Sequence, residues 1–365
     1  MAGVSESGYT RHFCMGGDEY LKSYGMFPWV GNKTWCVDFL LSLMPENIHT
    51  MVEVFGGSAA FTMYVKTVQR MMSQMRQVTN FVVNDRNDDI VNFYHCVRDK
   101  PFQLMLMCRD YPINSKMEFE LFKKAAYPKT LEDLEESRRL HRFIYVALKG
   151  IDLEAETEAA QLLLAPTLAE KMQELLYQKA ELGDCARAAA FLRSLVYSFR
   201  SMGTNYAPRM RTMNRFVDDI ANRLSFYMSG VVIYNEDFRS IFARHAAAEN
   251  LLFCDPPYLG TEKMYRYSEE QPGFFWEDHV ALMELSRDTE SRVIVTYNDD
   301  PAVRELYEHP RFHIVAASHH NSLSATAGTD MQEIFICNYV PPKHSMVLCE
   351  QMTLFGGDDA NGLEA

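Results

Sequence analysis

Residues 251–258 read Leu251-Leu252-Phe253-Cys254-Asp255-Pro256-Pro257-Tyr258, and this stretch decides the fold class. Its four apolar residues are typical of a buried β-strand. Neither proline has an N–H to donate to a neighbouring strand, so the strand must stop at Asp255. Ligands bind at the carboxyl ends of strands in an open α/β sheet. The stretch therefore predicts an acid, two rigid prolines and an aromatic ring at a ligand-binding edge. An ordinary strand-end turn is the alternative.

The composition is that of a globular protein with a sizeable core. The 365 residues are 47% hydrophobic and 23% charged, which suits one large domain or two of ordinary size. Residues 1–12 are polar and mixed, so we expect no signal peptide, and no apolar run is long enough to span a bilayer. The eight cysteines form no Cys-x-x-Cys pair. This pattern favours a cytoplasmic protein with reduced thiols and predicts no metal site.

The net charge of −13 weighs against simple nucleic-acid binding, because such domains are usually basic. The charge is unevenly distributed, however. Acidic residues cluster in 132–136, in 152–158 and in the tail, whereas the chain from Arg193 to Arg223 carries six arginines against two aspartates. Net charge is therefore a weak argument against a nucleic-acid partner.

Two N-terminal segments carry a ligand-binding pattern. Residues 27–33, Phe-Pro-Trp-Val-Gly-Asn-Lys, precede a helical pattern at about 34–44. Residues 51–61 indicate a strand, a glycine turn and a helix, in which Gly56 and Gly57 let the backbone pass close to a ligand at the helix N-terminus. The segment is not a Gly-x-Gly-x-x-Gly fingerprint, so NAD is disfavoured.

Further strands are predicted along the chain. Residues 80–85 form an apolar run that ends in Asp85, and an acid at that place suits two ribose hydroxyls. The alternative role is a helix N-cap, for which Asp88 is the better candidate. A strand at 231–234, a helix at 278–287 and a strand at 293–296 follow. Residues 313–316 and 333–339 indicate a closing antiparallel pair.

The middle of the chain, residues 96–224, loses the strand pattern and has apolar residues at helical spacing, which predicts an inserted helical subdomain. Within it, residues 198–211 combine arginines, an asparagine and an aromatic residue around glycine and proline. Arginine can grip phosphates or guanine edges and asparagine can read adenine, so this segment suits DNA recognition. An ordinary arginine-bearing surface loop is the alternative.

Taken together, these motifs resemble the Dam-type (D12 class) DNA adenine-N6 methyltransferase family, which uses S-adenosylmethionine. The matching elements are Asp-Pro-Pro-Tyr at 255–258, the aromatic/Pro-x-x-Gly-x-Lys stretch ending at Lys33 and the glycine turn after Glu53. Val54 replaces the family's proline, and Ser58-Ala59 replaces its second glycine region. The resemblance covers about 27–95 and 225–340 and is weakest between them.

The resemblance implies an α/β fold with a Rossmann-like methyltransferase sheet, mostly parallel with an antiparallel closing strand, and an inserted, mainly helical DNA-recognition subdomain. The expected divisions are catalytic halves at 1–95 and 225–345, the insertion at 96–224 and a flexible acidic tail at 346–365.

The resemblance also implies roles for individual residues. Asp255 and the Pro256 carbonyl would accept hydrogen bonds from an exocyclic amino group, and Tyr258 would stack on the base. The expected catalytic residues are Asp255, Pro256, Pro257 and Tyr258. The expected cofactor-binding residues are Trp29, Lys33, Glu53, Phe55, Gly56, Gly57, Asp85, Asp237 and Phe238, although Phe238 could equally be core packing. The expected DNA-binding residues are Arg200, Asn205, Tyr206, Arg209 and Arg211.

The tail holds a short motif of its own. Gln351-Met352-Thr353-Leu354-Phe355 resembles the Gln-Leu-x-Leu-Phe peptide by which bacterial proteins dock on the replication sliding clamp. Gln351, Leu354 and Phe355 would make the contacts. The alternative is a strip that packs back on the core.

The sequence therefore predicts a site-specific methyltransferase that acts on the N6 amino group of a flipped-out adenine in double-stranded DNA. Cytosine-N4 methylation needs the same amino-group clamp and stays open, as does a protein or RNA amino-methyltransferase. A non-catalytic DNA- or clamp-binding protein is the alternative from another class. We expect no membrane and no metal among the partners.

Overall fold

The computed structural model describes residues 25–29, 31–71, 78–108, 116, 119–120, 184–198, 206, 219–261, 273–320 and 330–342. The predicted recognition residues Arg200, Asn205, Arg209 and Arg211 lie outside these ranges, as do the tail residues Gln351, Leu354 and Phe355. The predicted domain divisions and the inserted subdomain stay predictions.

Within the described ranges, the strands form one seven-stranded sheet in the order β3-β2-β1-β4-β5-β7-β6. Strands β1 to β5 are parallel, and β7 runs antiparallel to both β5 and β6. The strands are β1 Thr50–Glu53, β2 Asn80–Asn84, β3 Val231–Tyr234, β4 Asn250–Cys254, β5 Arg292–Asn298, β6 His313–His320 and β7 Asp330–Cys337. The predicted methyltransferase-like sheet with an antiparallel closing strand is thus confirmed.

The strand order fixes where a ligand can bind. The chain winds outward from β1 in one direction to β2 and β3, and in the other direction to β4 and β5. The order therefore reverses between β1 and β4, and the crevice at the carboxyl ends of these two strands is the place where open α/β sheets hold ligands. Glu53 ends β1, and Asp255 follows the last residue of β4.

Alternate residues of the strands pack on opposite faces of the sheet. Met51 and Leu251 belong to one hydrophobic cluster, while their neighbours Val52 and Leu252 belong to a second. Such two-sided burial is what a parallel sheet covered by helices requires. The helical segments are a 3₁₀ turn Lys33–Cys36, α1 Val37–Leu43, α2 Ala60–Met71, α3 Asp88–Asp99, α4 Pro101–Cys108, α5 Asp184–Val196, a π-helical segment Ile220–Leu224, α6 Ser225–Met228, α7 Phe238–Arg244, α8 Trp276–Asp288 and α9 Pro301–Leu306.

The start of α3 differs from the sequence prediction by one residue. Asp88 is the first helical residue, and the N-cap is Asn87, whose side chain accepts hydrogen bonds from the backbone N–H groups of Asp89 and Ile90. The prediction of Asp88 as N-cap was wrong because Asn87 already has the extended backbone that a cap needs. No helix in the described ranges has both the length and the apolar character needed to cross a membrane.

Candidate active site

Asp255 is held by its neighbours through one carboxylate oxygen, Oδ1. Cys254 pairs with Val295 in the parallel register of β4 and β5, so the next residues, Asp255 and Thr296, are neighbours. The Thr296 hydroxyl donates to Asp255 Oδ1 at 2.6 Å, and Lys33 Nζ lies 2.9 Å from the same oxygen. Among the described residues, none donates a hydrogen bond to Oδ2. The Asp255 side chain is 20% exposed, and Oδ2 keeps its capacity to accept hydrogen bonds from a ligand.

Lys33 is a buried cation, with only 3% of its side chain exposed. Its Nζ donates to the Gly31 carbonyl at 2.9 Å and lies 3.8 Å from Glu333 Oε2. Burial lowers the pKa of Lys33, but the neighbouring carboxylates of Asp255 and Glu333 more than offset this effect and raise its pKa well above its usual range. Lys33 therefore stays charged. The carboxylate that it reaches in the structure is that of Asp255.

The Tyr258 side chain has contacts at its hydroxyl and around its ring. Its hydroxyl donates to Glu333 Oε2 at 3.1 Å, and Lys33 Nζ lies 4.9 Å from the ring centroid. The ring of Tyr297 packs beside it, with centroids 5.9 Å apart. Burial and the nearby Asp255 carboxylate raise the pKa of Tyr258 well above its usual range, so the phenol stays neutral. A neutral, anchored aromatic ring next to an acid is well suited to holding a planar base.

The two glycines after β1 permit close approach of neighbouring groups. A Cβ at Gly56 would lie 2.6 Å from the Tyr94 hydroxyl, so no side chain fits there. Gly57 has φ +50°, and a Cβ there would lie 3.0 Å from the Trp29 ring. Trp29 thus lies directly on the glycine backbone, a position that glycine alone permits without strain.

Asp85 ties this turn to β2. One of its oxygens accepts a hydrogen bond from Gly57 N at 2.8 Å, and the other accepts one from Asn87 N at 2.8 Å. Burial raises the pKa of Asp85 to about 6, although these backbone donors oppose the shift. The structure therefore places Asp85 at the carboxyl end of β2, beside the glycine turn. Its role as a ribose ligand stays a prediction.

Glu53 faces the N-terminus of α2. Its carboxylate accepts hydrogen bonds from Thr62 N at 3.0 Å and Phe61 N at 3.4 Å. The side chain is buried, and burial raises its pKa to about 7. An acid that titrates near neutrality, at the switch point of the sheet, is a typical feature of a functional site.

An aromatic cluster is formed by residues that follow β1 and β3 and by one that precedes α8. The rings of Phe55, Phe238 and Phe274 lie with centroids 5.6 to 5.8 Å apart. Asp237 caps α7 by accepting a hydrogen bond from Arg239 N at 3.0 Å, and its carboxylate also lies 3.4 Å from Arg86 Nη1. Phe238 is buried in the second hydrophobic cluster, and its predicted contact with the cofactor stays a prediction.

The predicted site residues thus form three groups, all near the carboxyl ends of β1 to β4. The first contains Lys33, Asp255, Pro256, Pro257 and Tyr258; the second Trp29, Glu53, Gly56, Gly57 and Asp85; and the third Phe55, Asp237 and Phe238. From the predicted recognition segment, the described residue Tyr206 packs on Phe119, with ring centroids 5.7 Å apart. Its predicted contact with DNA stays a prediction.

Sequence reasoning did not find Glu333 and Thr296. Both lie in strands, and only the strand register shows that they face Asp255 and Tyr258. A buried acid next to the apolar run Ile334-Phe335-Ile336 was the available signal for Glu333. Within the parts of the chain that the structure describes, no three His, Cys, Asp or Glu residues are grouped so as to hold a metal ion.

The family model for D12 class N6 adenine-specific DNA methyltransferases matches residues 29–322, which include all three groups. The chain belongs to this family. It is also 24% identical over 325 residues to the type II methyltransferase M1.LlaDCHI of Lactococcus lactis subsp. cremoris, a match that covers 85% of this chain and 94% of the relative. The protein is thus an adenine-specific DNA methyltransferase, and the predictions of reaction and target atom are confirmed.

Proposed function

We propose that this methyltransferase takes its methyl group from S-adenosylmethionine, held between the glycine turn, Glu53, Asp85 and the aromatic cluster. The residues fit this group. Gly57 presents bare backbone under Trp29, and Glu53 and Asp85 supply carboxyl groups for the ammonium and ribose hydroxyls of the donor. Phe238 and its aromatic neighbours offer ring faces for an adenine. When bound, S-adenosylmethionine supplies an electrophilic methyl group on a positively charged sulfur.

Asp255 is the residue that acts on the substrate nitrogen. An amino group conjugated to a purine ring is a poor nucleophile, and it becomes positive as it is methylated. Asp255 Oδ2 and the Pro256 carbonyl accept hydrogen bonds from this amino group, while Tyr258 stacks on the base. The observation that carries this proposal is that Thr296 and Lys33 occupy Oδ1, while none of the residues that the structure describes donates to Oδ2. Preorganised acceptors of this kind accelerate a reaction by stabilising charge where it develops.

The target base must leave the DNA stack before it reaches Asp255, because the duplex hides its amino group. Unstacking and unpairing cost on the order of a few kcal/mol. Cytosine N4 presents a similar amino group, but the family to which the chain belongs is specific for adenine N6.

The test of this proposal is Asp255→Asn, which keeps the size of the side chain and an oxygen that can accept hydrogen bonds from Lys33 and Thr296. We expect methyl transfer from S-adenosylmethionine to a duplex substrate to fall by about 10²–10³-fold, while the affinity for the donor changes less than about twofold. Asp300→Asn is the matched control, since Asp300 also follows a parallel strand but caps α9. Full activity of Asp255→Asn would overturn the proposal.

We propose that the arginine-bearing segment, with Arg200, Asn205, Tyr206, Arg209 and Arg211, recognises the DNA site. Its support is the local excess of arginine in an otherwise acidic chain. Neutralising Arg209 and Arg211 to glutamine should weaken DNA binding and flatten its salt dependence, by a slope of about 0.9 per lost phosphate contact. An unchanged slope would instead place recognition elsewhere, first of all in the loop at 259–275.

We propose, finally, that the tail docks on a replication sliding clamp through Gln351, Leu354 and Phe355. The support is the spacing of the motif, which lies after the last strand of the sheet. Leu354→Ala/Phe355→Ala should abolish capture by a purified bacterial clamp and leave methylation of short duplexes intact. Equal capture of both proteins, or of neither, would reject the clamp as partner.

A further inference from the structure

We propose that Glu333 is a positioning residue for methyl transfer: it holds the Tyr258 phenol and shares the Lys33 cation with Asp255, so that Asp255 keeps its negative character toward the substrate. The inference rests on the proposed roles of Asp255 and Tyr258. It concerns a residue beyond the Asp-Pro-Pro-Tyr motif and outside the segment that matches the family model.

The fold explains how Glu333 reaches the site. Strand β7 is antiparallel to β5, and Glu333 pairs with Asn298, the last residue of β5. Its side chain therefore lies at the carboxyl edge of the parallel strands, where Asp255 also lies. Glu333 is 5% exposed, and its Oε2 is 3.1 Å from the Tyr258 hydroxyl and 3.8 Å from Lys33 Nζ.

The charges of this group explain why a second acid matters. Lys33 contributes one positive charge, and Asp255 and Glu333 contribute two negative charges when both are ionised. The group then carries a net charge of −1 beside a substrate nitrogen that becomes positive. Without Glu333, the Lys33 cation would balance Asp255 alone and the net charge would be zero. In a partly buried site such a change weakens the stabilisation of a developing cation.

The hydrogen bond to Tyr258 supplies the second part of the role. The bond to Glu333 fixes the position of the Tyr258 hydroxyl, and the neighbouring ring of Tyr297 limits rotation of the Tyr258 ring. A ring held in one orientation presents a constant face to the base. This kind of fixed geometry lowers the barrier by keeping the reacting groups aligned.

The first experiment measures single-turnover methyl transfer by Glu333→Gln. Glutamine keeps the size of the side chain and an acceptor for the Tyr258 hydroxyl but removes the charge. We expect the rate to fall about 10- to 100-fold, with the dissociation constant for S-adenosylmethionine changed less than about twofold. The matched control is Asn338→Ala, because Asn338 is a buried polar residue just after the same strand, bonded to Ser286 and Ser291 away from Asp255. The control should lose thermal stability and keep its rate.

The second experiment repeats the substitution in a Lys33→Met background. If Glu333 acts by sharing the Lys33 cation, introducing E333Q into the wild type should lower the rate of methyl transfer. Introducing E333Q into the K33M enzyme should not lower the rate, because it changes the net charge of the remaining acids from −2 to −1. A residue that only fills space would slow both backgrounds by the same factor, and that result would overturn the proposal. If E333Q alone does not fold, K33M/E333Q is compared with K33M, and a slower double variant overturns the proposal.

The outcome with Asp255→Asn separates this inference from the proposed function. An active Asp255→Asn enzyme means that the assignment of the site itself is wrong. An inactive Asp255→Asn enzyme together with a fully active Glu333→Gln enzyme leaves the site assignment in place and overturns the proposed charge role of Glu333.

Discussion

Lys33 and Asp255 form a buried ion pair, with Nζ 2.9 Å from Oδ1, which joins the N-terminal segment to the central strand of the sheet. The two residues belong to motifs that are far apart in the chain. The family resemblance implies that Lys33 binds the cofactor, and this role stays a prediction; in the structure its ammonium lies on Asp255, the acid that we propose to hold the substrate. The turn before the first helix is therefore part of the support of the reacting centre.

We predict that Lys33→Met lowers the free energy of unfolding by about 2–3 kcal/mol. Breaking a fully buried ion pair costs about 3–5 kcal/mol, and the partial exposure of Asp255 reduces that figure. Urea unfolding measures the change. Arg304→Met is the control, since Arg304 pairs with Asp299 at the surface and should cost less than about 1 kcal/mol. Equal losses for both variants would contradict the prediction.

The sheet could be predicted from the sequence because its strands are short apolar runs that end in polar residues or turns. Residues 231–234 were placed without error, and the end of β4 followed from the two prolines after Asp255. The sequence could also predict that residues far apart in the chain lie at the carboxyl edge of the sheet, because parallel strands all end at that edge. Local pattern and topology were sufficient for this much.

The partners within the site could not be predicted. Thr296 reaches Asp255 only because β4 and β5 pair in one register, and Glu333 reaches Tyr258 only through the antiparallel pairing of β7. Such contacts depend on the register between strands, and the spacing of apolar residues along the sequence does not predict that register. The N-cap of α3 was misplaced for a related reason, because Asn87 and Asp88 are both good capping residues and the backbone conformation decides between them.

We predict that Gly57→Ala reduces the affinity for S-adenosylmethionine about tenfold or more, whereas Gly230→Ala does not. Both glycines have positive φ, +50° and +74°, so each alanine costs on the order of 1 kcal/mol of backbone strain. The surroundings differ. A Cβ at Gly57 would lie 3.0 Å from Trp29, but at Gly230 nothing lies within 4 Å. Isothermal titration calorimetry measures the affinity for S-adenosylmethionine. A similar loss of affinity in both variants would show that backbone strain alone causes the effect.

The last prediction concerns Glu53 and pH. Burial raises the pKa of Glu53 from 4.5 to about 7, so the folded, ligand-free enzyme binds this proton more tightly than the unfolded chain. The stability associated with the proton is fully present below pH 4.5 and is lost as the pH rises through 7. Glu53→Gln removes this dependence.

The advantage of the Glu53→Gln variant over the wild type in urea unfolding should therefore grow by about 2–3 kcal/mol between about pH 5 and pH 8. Asp85 titrates in the same direction, but it is present in both proteins, so its contribution cancels in the difference. If the ionised Glu53 accepts a hydrogen bond from the donor's ammonium group, wild-type affinity for S-adenosylmethionine should rise over the same pH range. The affinity of Glu53→Gln should be lower and should lack this rise. If the difference in unfolding free energy between the two proteins is the same at every pH, Glu53 is ionised in the free enzyme.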